Sequence, residues 1–104
     1  GMNENIAMLL MAAKAGIPVC PHAGGVGLCE MVQHVAMFDF VAVGGKHPDR
    51  VVEFVDHLHE HFVVPTNIAN AHYMPPLEPG AGAEMFSKSI SDFTFPTGKE
   101  WVNS

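Results

Sequence analysis

The segment over residues 20–30 constrains the fold of this chain more than any other stretch. It reads Cys-Pro-His-Ala-Gly-Gly-Val-Gly-Leu-Cys-Glu and begins at the last residue of the short apolar run over residues 17–20. An apolar run bounded by glycine and proline predicts a buried strand, and apolar residues at helical spacing begin again at Leu28. Strand, turn and helix in this order are typical of a parallel α/β fold. That fold would place His22 at the carboxyl end of the strand, where such folds hold their chemistry.

Size and composition limit the classes of protein to consider. A chain of 104 residues forms at most one small domain or part of a larger one, and its 48% hydrophobic content predicts apolar contact with another chain, as in a homo-oligomer. A net charge of −6 argues against nucleic acid or an anionic membrane as partner. No apolar run approaches the roughly 18 residues of a transmembrane helix. Two cysteines make no disulfide framework, so we expect a cytoplasmic protein.

Apolar residues at helical spacing predict helices over residues 3–15 and 27–37. In the second helix, the apolar stripe leaves Glu30, Gln33 and His34 on the polar faces. Residues 38–43, apolar apart from Asp39, are followed by two glycines and predict a second strand. This alternation of helix and strand is typical of a parallel sheet.

The character of the sequence changes after Gly45. Residues 46–49 predict a loop, and residues 51–55 fit either a short strand or the start of a helix. Five of the eight prolines fall at or after Pro65, which favours extended strands and loops, with one helical turn near residues 87–92.

Two residues and one cluster are candidates for chemistry. His22 is either a general acid/base or a histidine that caps a strand end by hydrogen bonding. Glu53, inside an apolar run, either points to solvent by strand alternation or has a pKa perturbed by a site. His57 and His61 would share a face of a helix and could bind zinc or nickel, but no third ligand is placed, and a solvated polar face is the alternative.

Three segments together resemble the C-terminal part of the L-fuconate dehydratases, a group within the mandelate racemase branch of the enolase superfamily. They are Asn-Glu-Asn at 3–5 with the apolar helix after it, the block over residues 19–30, and residues 55–62. The resemblance runs from Asn3 to Trp101 and includes Tyr-Met-Pro-Pro at 73–76.

The resemblance implies an α/β fold in which residues 1–64 form the last strands and helices of a (β/α)8 barrel. Residues 65–104 would be the proline-rich return to a capping domain. It also implies an activity: members use Mg²⁺ to stabilise an enediolate formed by removing the proton next to a carboxylate. The dehydratase then expels the 3-hydroxyl of a sugar acid as water.

The resemblance assigns two site residues. His22 matches a general acid/base histidine at the end of the seventh strand, and Glu53 matches a carboxyl group that hydrogen-bonds the substrate carboxylate. The family's lysine base, its three metal-binding carboxylates and the aspartate that orients the histidine lie on earlier strands and are absent here. We therefore expect this chain alone to bind no Mg²⁺ and to be inactive, because a hard cation needs several converging oxygen ligands. The sugar acid would be a partner only of the complete enzyme.

Two other functions stay open from the sequence. One is a non-catalytic, self-associating module whose open strand edges pair with another copy. The other is a small metal-binding protein built on His57, His59 and His61.

Overall fold

A computed structural model describes residues 1–45 and 50–102, so the loop predicted over residues 46–49 lies outside the described residues. The elements, in chain order, are α1 (Met2–Lys14), α2 (Leu28–Phe38), a π-helical segment (Asp39–Gly44), a 3₁₀ turn (His59–His61), β1 (Asn67–Ala69), β2 (His72–Met74), α3 (Ser87–Phe93) and α4 (Lys99–Val102).

The two predicted N-terminal helices are confirmed, each within a residue at either end. α1 ends in a Schellman motif: the Gly16 amide donates to the Ala13 carbonyl and the Ile17 amide to the Ala12 carbonyl. Gly16 takes the left-handed φ of +70° that this motif requires. α2 begins after Gly27, which is also left-handed at φ +73°.

The two predicted strands are wrong. Residues 38–43 continue α2 as helix and π-helix, because a short apolar run has no periodicity that separates a strand from a buried helix. Residues 17–20 form no strand, since a strand needs a neighbouring ladder and none of the described residues provides one. Residues 51–55 are neither of the two alternatives but an irregular extended segment.

The proline-rich part contains the predicted extended pieces and helical turn, together with a short helix, α4, that was not predicted. β1 and β2 form an antiparallel hairpin with Ile68 opposite Tyr73. Its two-residue turn, Asn70 and Ala71, has φ angles of 52° and 61°, the mirror-image turn whose twist suits a hairpin. The predicted helical turn is α3.

The buried interior is small and partly polar. Its apolar members among the described residues are Leu9, Ala23, Cys29 and Phe62. Glu30 and Gln33 are buried too, at 1% and 2% exposure, which corrects their predicted place on the polar faces of α2. The Gln33 amide donates to the Glu30 carbonyl, so α2 satisfies this polar group itself.

The molecule is open for its length. Its radius of gyration is 16.2 Å, against about 13 Å for a compact domain of about 100 residues. Large apolar side chains are exposed on α1, among them Met8 at 57% and Met11 at 71%. Within the described residues, no helix combines the length and the apolarity that crossing a bilayer requires.

Candidate functional site

The structure brings the two predicted site residues together. The loop before α2 lies against the extended segment 51–55, where the Glu53 amide donates to the Pro21 carbonyl at 3.1 Å. The Glu53 side chain then reaches back, and its Oε2 lies 2.5 Å from His22 Nδ1 and 2.6 Å from the Ala23 amide nitrogen. One carboxylate oxygen therefore holds both an imidazole and a main-chain N–H.

Hydrogen bonding keeps the Glu53 carboxylate charged. The Ala23 amide is the main cause that holds the pKa of Glu53 below its usual value, and the contact with His22 lowers it further against the opposing effect of burial. The His22 side chain is 75% exposed and that of Glu53 40% exposed. The pair can therefore exchange protons with solvent or with a bound molecule.

Gly24 leaves room for the His22 ring. A Cβ at this position would lie 2.4 Å from His22 Cε1 and 2.8 Å from Nε2, so any other residue would force the ring to move. The first glycine of the turn is thus explained by the close approach of the imidazole and not by a phosphate.

A buried ion pair between Glu30 and His59 lies next to the segment that carries Glu53, and it was not predicted from the sequence. His59 Nδ1 lies 2.6 Å from Glu30 Oε1, and His59 Nε2 lies 2.9 Å from the Val55 carbonyl oxygen. Burial alone would raise the pKa of Glu30 and lower that of His59. Several hydrogen bonds together outweigh burial at both residues. His59 and main-chain amides, that of Thr66 among them, lower the pKa of Glu30, and Glu30 together with the Val55 carbonyl raises the pKa of His59.

Aromatic contacts surround the segment that carries Glu53. The Phe54 ring stacks on His59 at 5.4 Å and meets the edge of Tyr73 at 5.9 Å. An open cleft of about 480 Å³ lies beside it, with Phe54, His59, Thr66 and Ile68 in its wall. His22 and Glu53 lie outside that wall, so the cleft and the His22–Glu53 pair are neighbours and not one pocket.

The histidine cluster does not converge on a metal. His57 lies in a bend and not on a helix, His59 is bonded to Glu30, and His61 Nδ1 lies 3.0 Å from the Ser89 hydroxyl. Within residues 1–45 and 50–102, no group of three or more His, Cys, Asp or Glu is arranged to hold a metal ion. These residues therefore do not fit the Mg²⁺ site that the family resemblance implies.

Comparisons with known proteins agree with this architecture. Residues 1–89 match the family described as MR_MLE_C, enolase C-terminal domain-like. The chain is 54% identical to mitochondrial enolase superfamily member 1 of Homo sapiens over 100 residues, which are 96% of this chain and 23% of that protein. It is 48% identical to the L-galactonate dehydratase of Hypocrea jecorina over 103 residues, 99% of this chain and 22% of that protein.

A solved structure extends the likeness to three dimensions. The crystal structure of human mitochondrial enolase superfamily member 1 superposes with a TM-score of 0.92 at 53% identity, covering 97% of this chain and 23% of that one. The chain thus spans less than a quarter of the length of the curated relatives it matches. The enolase superfamily part of the predicted resemblance is confirmed: this chain belongs to the enolase C-terminal domain-like family.

Proposed function

We propose that this chain is the C-terminal part of a sugar-acid dehydratase of the L-fuconate type. The observation that carries the proposal is the contact between His22 and Glu53, 2.5 Å apart on residues 31 positions away from each other in the chain. The name of the H. jecorina relative, L-galactonate dehydratase, supports a sugar acid as the substrate class.

In this proposal His22 moves the proton. A hydroxyl leaves carbon as water only when it receives a proton, and imidazole gains and loses one near neutral pH. Since the side chain is 75% exposed, its proton is replenished directly from solvent.

Glu53 orients the substrate carboxylate. Two carboxylates hydrogen-bond only when they share a proton, so an arriving substrate raises the pKa of Glu53 from its lowered starting value. The Ala23 amide stays on the same oxygen and keeps the side chain in place. In this proposal Glu53 therefore orients the substrate carboxylate, and His22 transfers the proton.

The remaining groups lie outside this chain in our proposal. The family's lysine and metal-binding carboxylates have no counterparts here, and the described residues do not gather a metal-binding set. We therefore expect the purified chain to dehydrate neither L-fuconate nor L-galactonate with Mg²⁺ present. Turnover by the chain alone, with its mass verified, would refute this part of the proposal.

A chimera tests the site itself. This chain would replace the matching segment of the H. jecorina L-galactonate dehydratase, with which it aligns over 103 residues. We expect the chimera to dehydrate L-galactonate, His22→Asn to lose about 10²- to 10⁴-fold in kcat, and Glu53→Gln to lose about 10- to 100-fold in kcat/KM.

Matched controls separate the site from general damage. His72→Asn and Glu78→Gln change the same residue types at exposed positions of the hairpin and the following loop, and we expect wild-type rates from both. An active chimera that tolerates His22→Asn would refute the assignment of the proton-transfer role.

A second function, self-association, is favoured by the exposed apolar surface. Side chains such as Met11 at 71% exposure and Val41 at 78% have the area that an interface between copies buries. We propose that the isolated chain forms a homo-oligomer, as composition also predicted. Size-exclusion chromatography with light scattering would give a mass above 11.2 kDa, and a monomer at all concentrations would refute it.

A further inference from the structure

Both main-chain groups of Glu53, the amide and the carbonyl, are hydrogen-bonded to other parts of the chain. Its carbonyl oxygen accepts a hydrogen bond from the Tyr73 hydroxyl at 2.5 Å, and its amide donates to the Pro21 carbonyl. The two ties come from opposite directions in the sequence, one from the hairpin and one from the loop that carries His22. Glu53 is thus where two distant parts of the chain meet.

The side chain of the neighbouring residue, Phe54, also packs against other parts of the chain. The Phe54 ring lies between His59, to which it is parallel within 1°, and Tyr73, which meets it at 84°. The ring of Tyr73 therefore packs on residue 54 while its hydroxyl binds residue 53. One side chain restrains two successive residues.

These ties matter because the segment has no secondary structure of its own. Residues 51–55 belong to no helix and no strand, and the Glu53 side chain is 40% exposed. An extended, half-exposed segment keeps one conformation only if side chains from elsewhere restrain it. Burial, with a hydrogen bond to Cys29, raises the pKa of Tyr73, so its hydroxyl keeps the proton it donates.

We propose that Tyr73 is a positioning residue that sets the Glu53 carboxylate on the Ala23 amide and on His22. It lies on β2, opposite Ile68, so the hairpin of the proline-rich part contributes to the site through the main chain of Glu53. The assignment rests on the proposed role of Glu53. Its test below needs no turnover, so its failure and the failure of the dehydratase proposal are distinguishable.

The ¹H–¹⁵N signal of Ala23 in the full chain is the readout. Its amide bonds to Glu53 Oε2, so the signal should follow the titration of that carboxylate, with a midpoint below the usual glutamate value of 4.5. Tyr73→Phe removes only the hydroxyl and keeps the ring against Phe54. We expect the equilibrium constant for forming the Ala23–Glu53 hydrogen bond to fall about fivefold, so the titration at Ala23 weakens and its midpoint rises.

A double-mutant cycle distinguishes positioning from a general structural effect. In a Glu53→Gln background, Tyr73→Phe should no longer move the Ala23 signal through the carboxylate, whereas a structural role would move it in both backgrounds. Ser89→Ala, which removes the partner of His61, is the matched loss of a hydroxyl elsewhere and should leave Ala23 unchanged.

A chemical variant keeps the proposal testable if Tyr73→Phe fails to fold. The chain has one tyrosine, so biosynthetic replacement by 3,5-difluorotyrosine labels position 73 alone and makes its hydroxyl more acidic. Ionisation of the fluorinated ring removes the donated proton, and the Ala23 signal should shift at the same pH. An Ala23 signal indifferent to both Tyr73→Phe and this ionisation would overturn the proposal.

Discussion

The geometry of the site depends on the space around individual residues as well as on their charges. Gly24 has no left-handed φ, so it is needed for the room it leaves and not for its backbone. A methyl group there meets the end of an exposed, movable ring, and the ring can swing away at little cost to folding. A substitution at this position should therefore move the His22 ring without much change in the free energy of unfolding.

Gly24→Ala should displace the His22 ring from Glu53 while changing the free energy of unfolding by less than about 0.5 kcal/mol. In the L-galactonate dehydratase chimera we expect a loss of about 10²-fold in kcat, the effect of a misplaced catalytic group. Gly25→Ala, whose Cβ meets only the Leu28 side chain, is the control in the same turn. Equal activities for the two variants would contradict the space argument.

The Glu30–His59 pair predicts an optimum of stability in mildly acidic solution. The raised pKa of His59 contributes stability below its unfolded value of 6.5, which is lost as pH rises through the folded pKa. The lowered pKa of Glu30 contributes stability above 4.5, which is lost as pH falls through the folded pKa. Unfolding free energies measured in urea should therefore be highest between these two values.

His59→Gln tests that assignment. It should cost about 1–3 kcal/mol at the optimum, because the buried Glu30 carboxylate loses a hydrogen bond, and it should abolish the fall in stability on the alkaline side. His57→Gln changes an exposed histidine two residues away and should keep the wild-type pH profile. A His59→Gln profile parallel to that of the wild type would refute the pair as the cause.

The family resemblance assigned site roles to His22 and Glu53, and those roles stay predictions, although the structure places the two side chains in contact. Residues defined by packing were missed. Glu30 stands at a helical position that looks polar, and its partner His59 is 29 residues away. The sequence alone does not predict that pairing, because a carboxylate is buried only when a distant partner compensates for its desolvation.

Among the secondary-structure elements, local sequence patterns predicted the two N-terminal helices correctly and the two strands incorrectly. α1 and α2 form from contacts within a few residues, so their apolar spacing is sufficient. A strand depends on neighbours elsewhere in the chain. Residues 17–20 have no such neighbour among the described residues, and residues 38–43 take up the helix that precedes them.

Gly16 and Gly27, which both have a left-handed φ at a helix end, provide a matched pair of substitutions. Gly16→Ala meets nothing within 4 Å, so it should cost only the backbone term of about 1–2 kcal/mol. Gly27→Ala has the same backbone cost, and its Cβ would also lie 3.0 Å from Cζ of the buried Phe62. It should exceed Gly16→Ala by about 1–3 kcal/mol in urea unfolding. Equal costs would mean that Phe62 does not fix the start of α2.

The whole molecule combines a small interior with large exposed apolar faces. The fully buried apolar side chains of the described residues are few, and a radius of gyration of 16.2 Å indicates that much surface stays open. A core of this size gives little stability to a single chain.

Folding and association of the isolated chain should therefore be coupled. If folded copies stabilise one another, a tenfold rise in protein concentration raises the apparent stability of a dimer by about 1.4 kcal/mol, and the urea midpoint rises with it. Replacing Met8 and Met11 by Gln should weaken this dependence, because these side chains are 57% and 71% exposed on α1. Leu77→Gln changes an apolar side chain that is 93% exposed on a loop outside the helix and should preserve the dependence. A midpoint independent of concentration would show that the small core is sufficient, and the exposed α1 face would then have no part in the stability of the isolated chain.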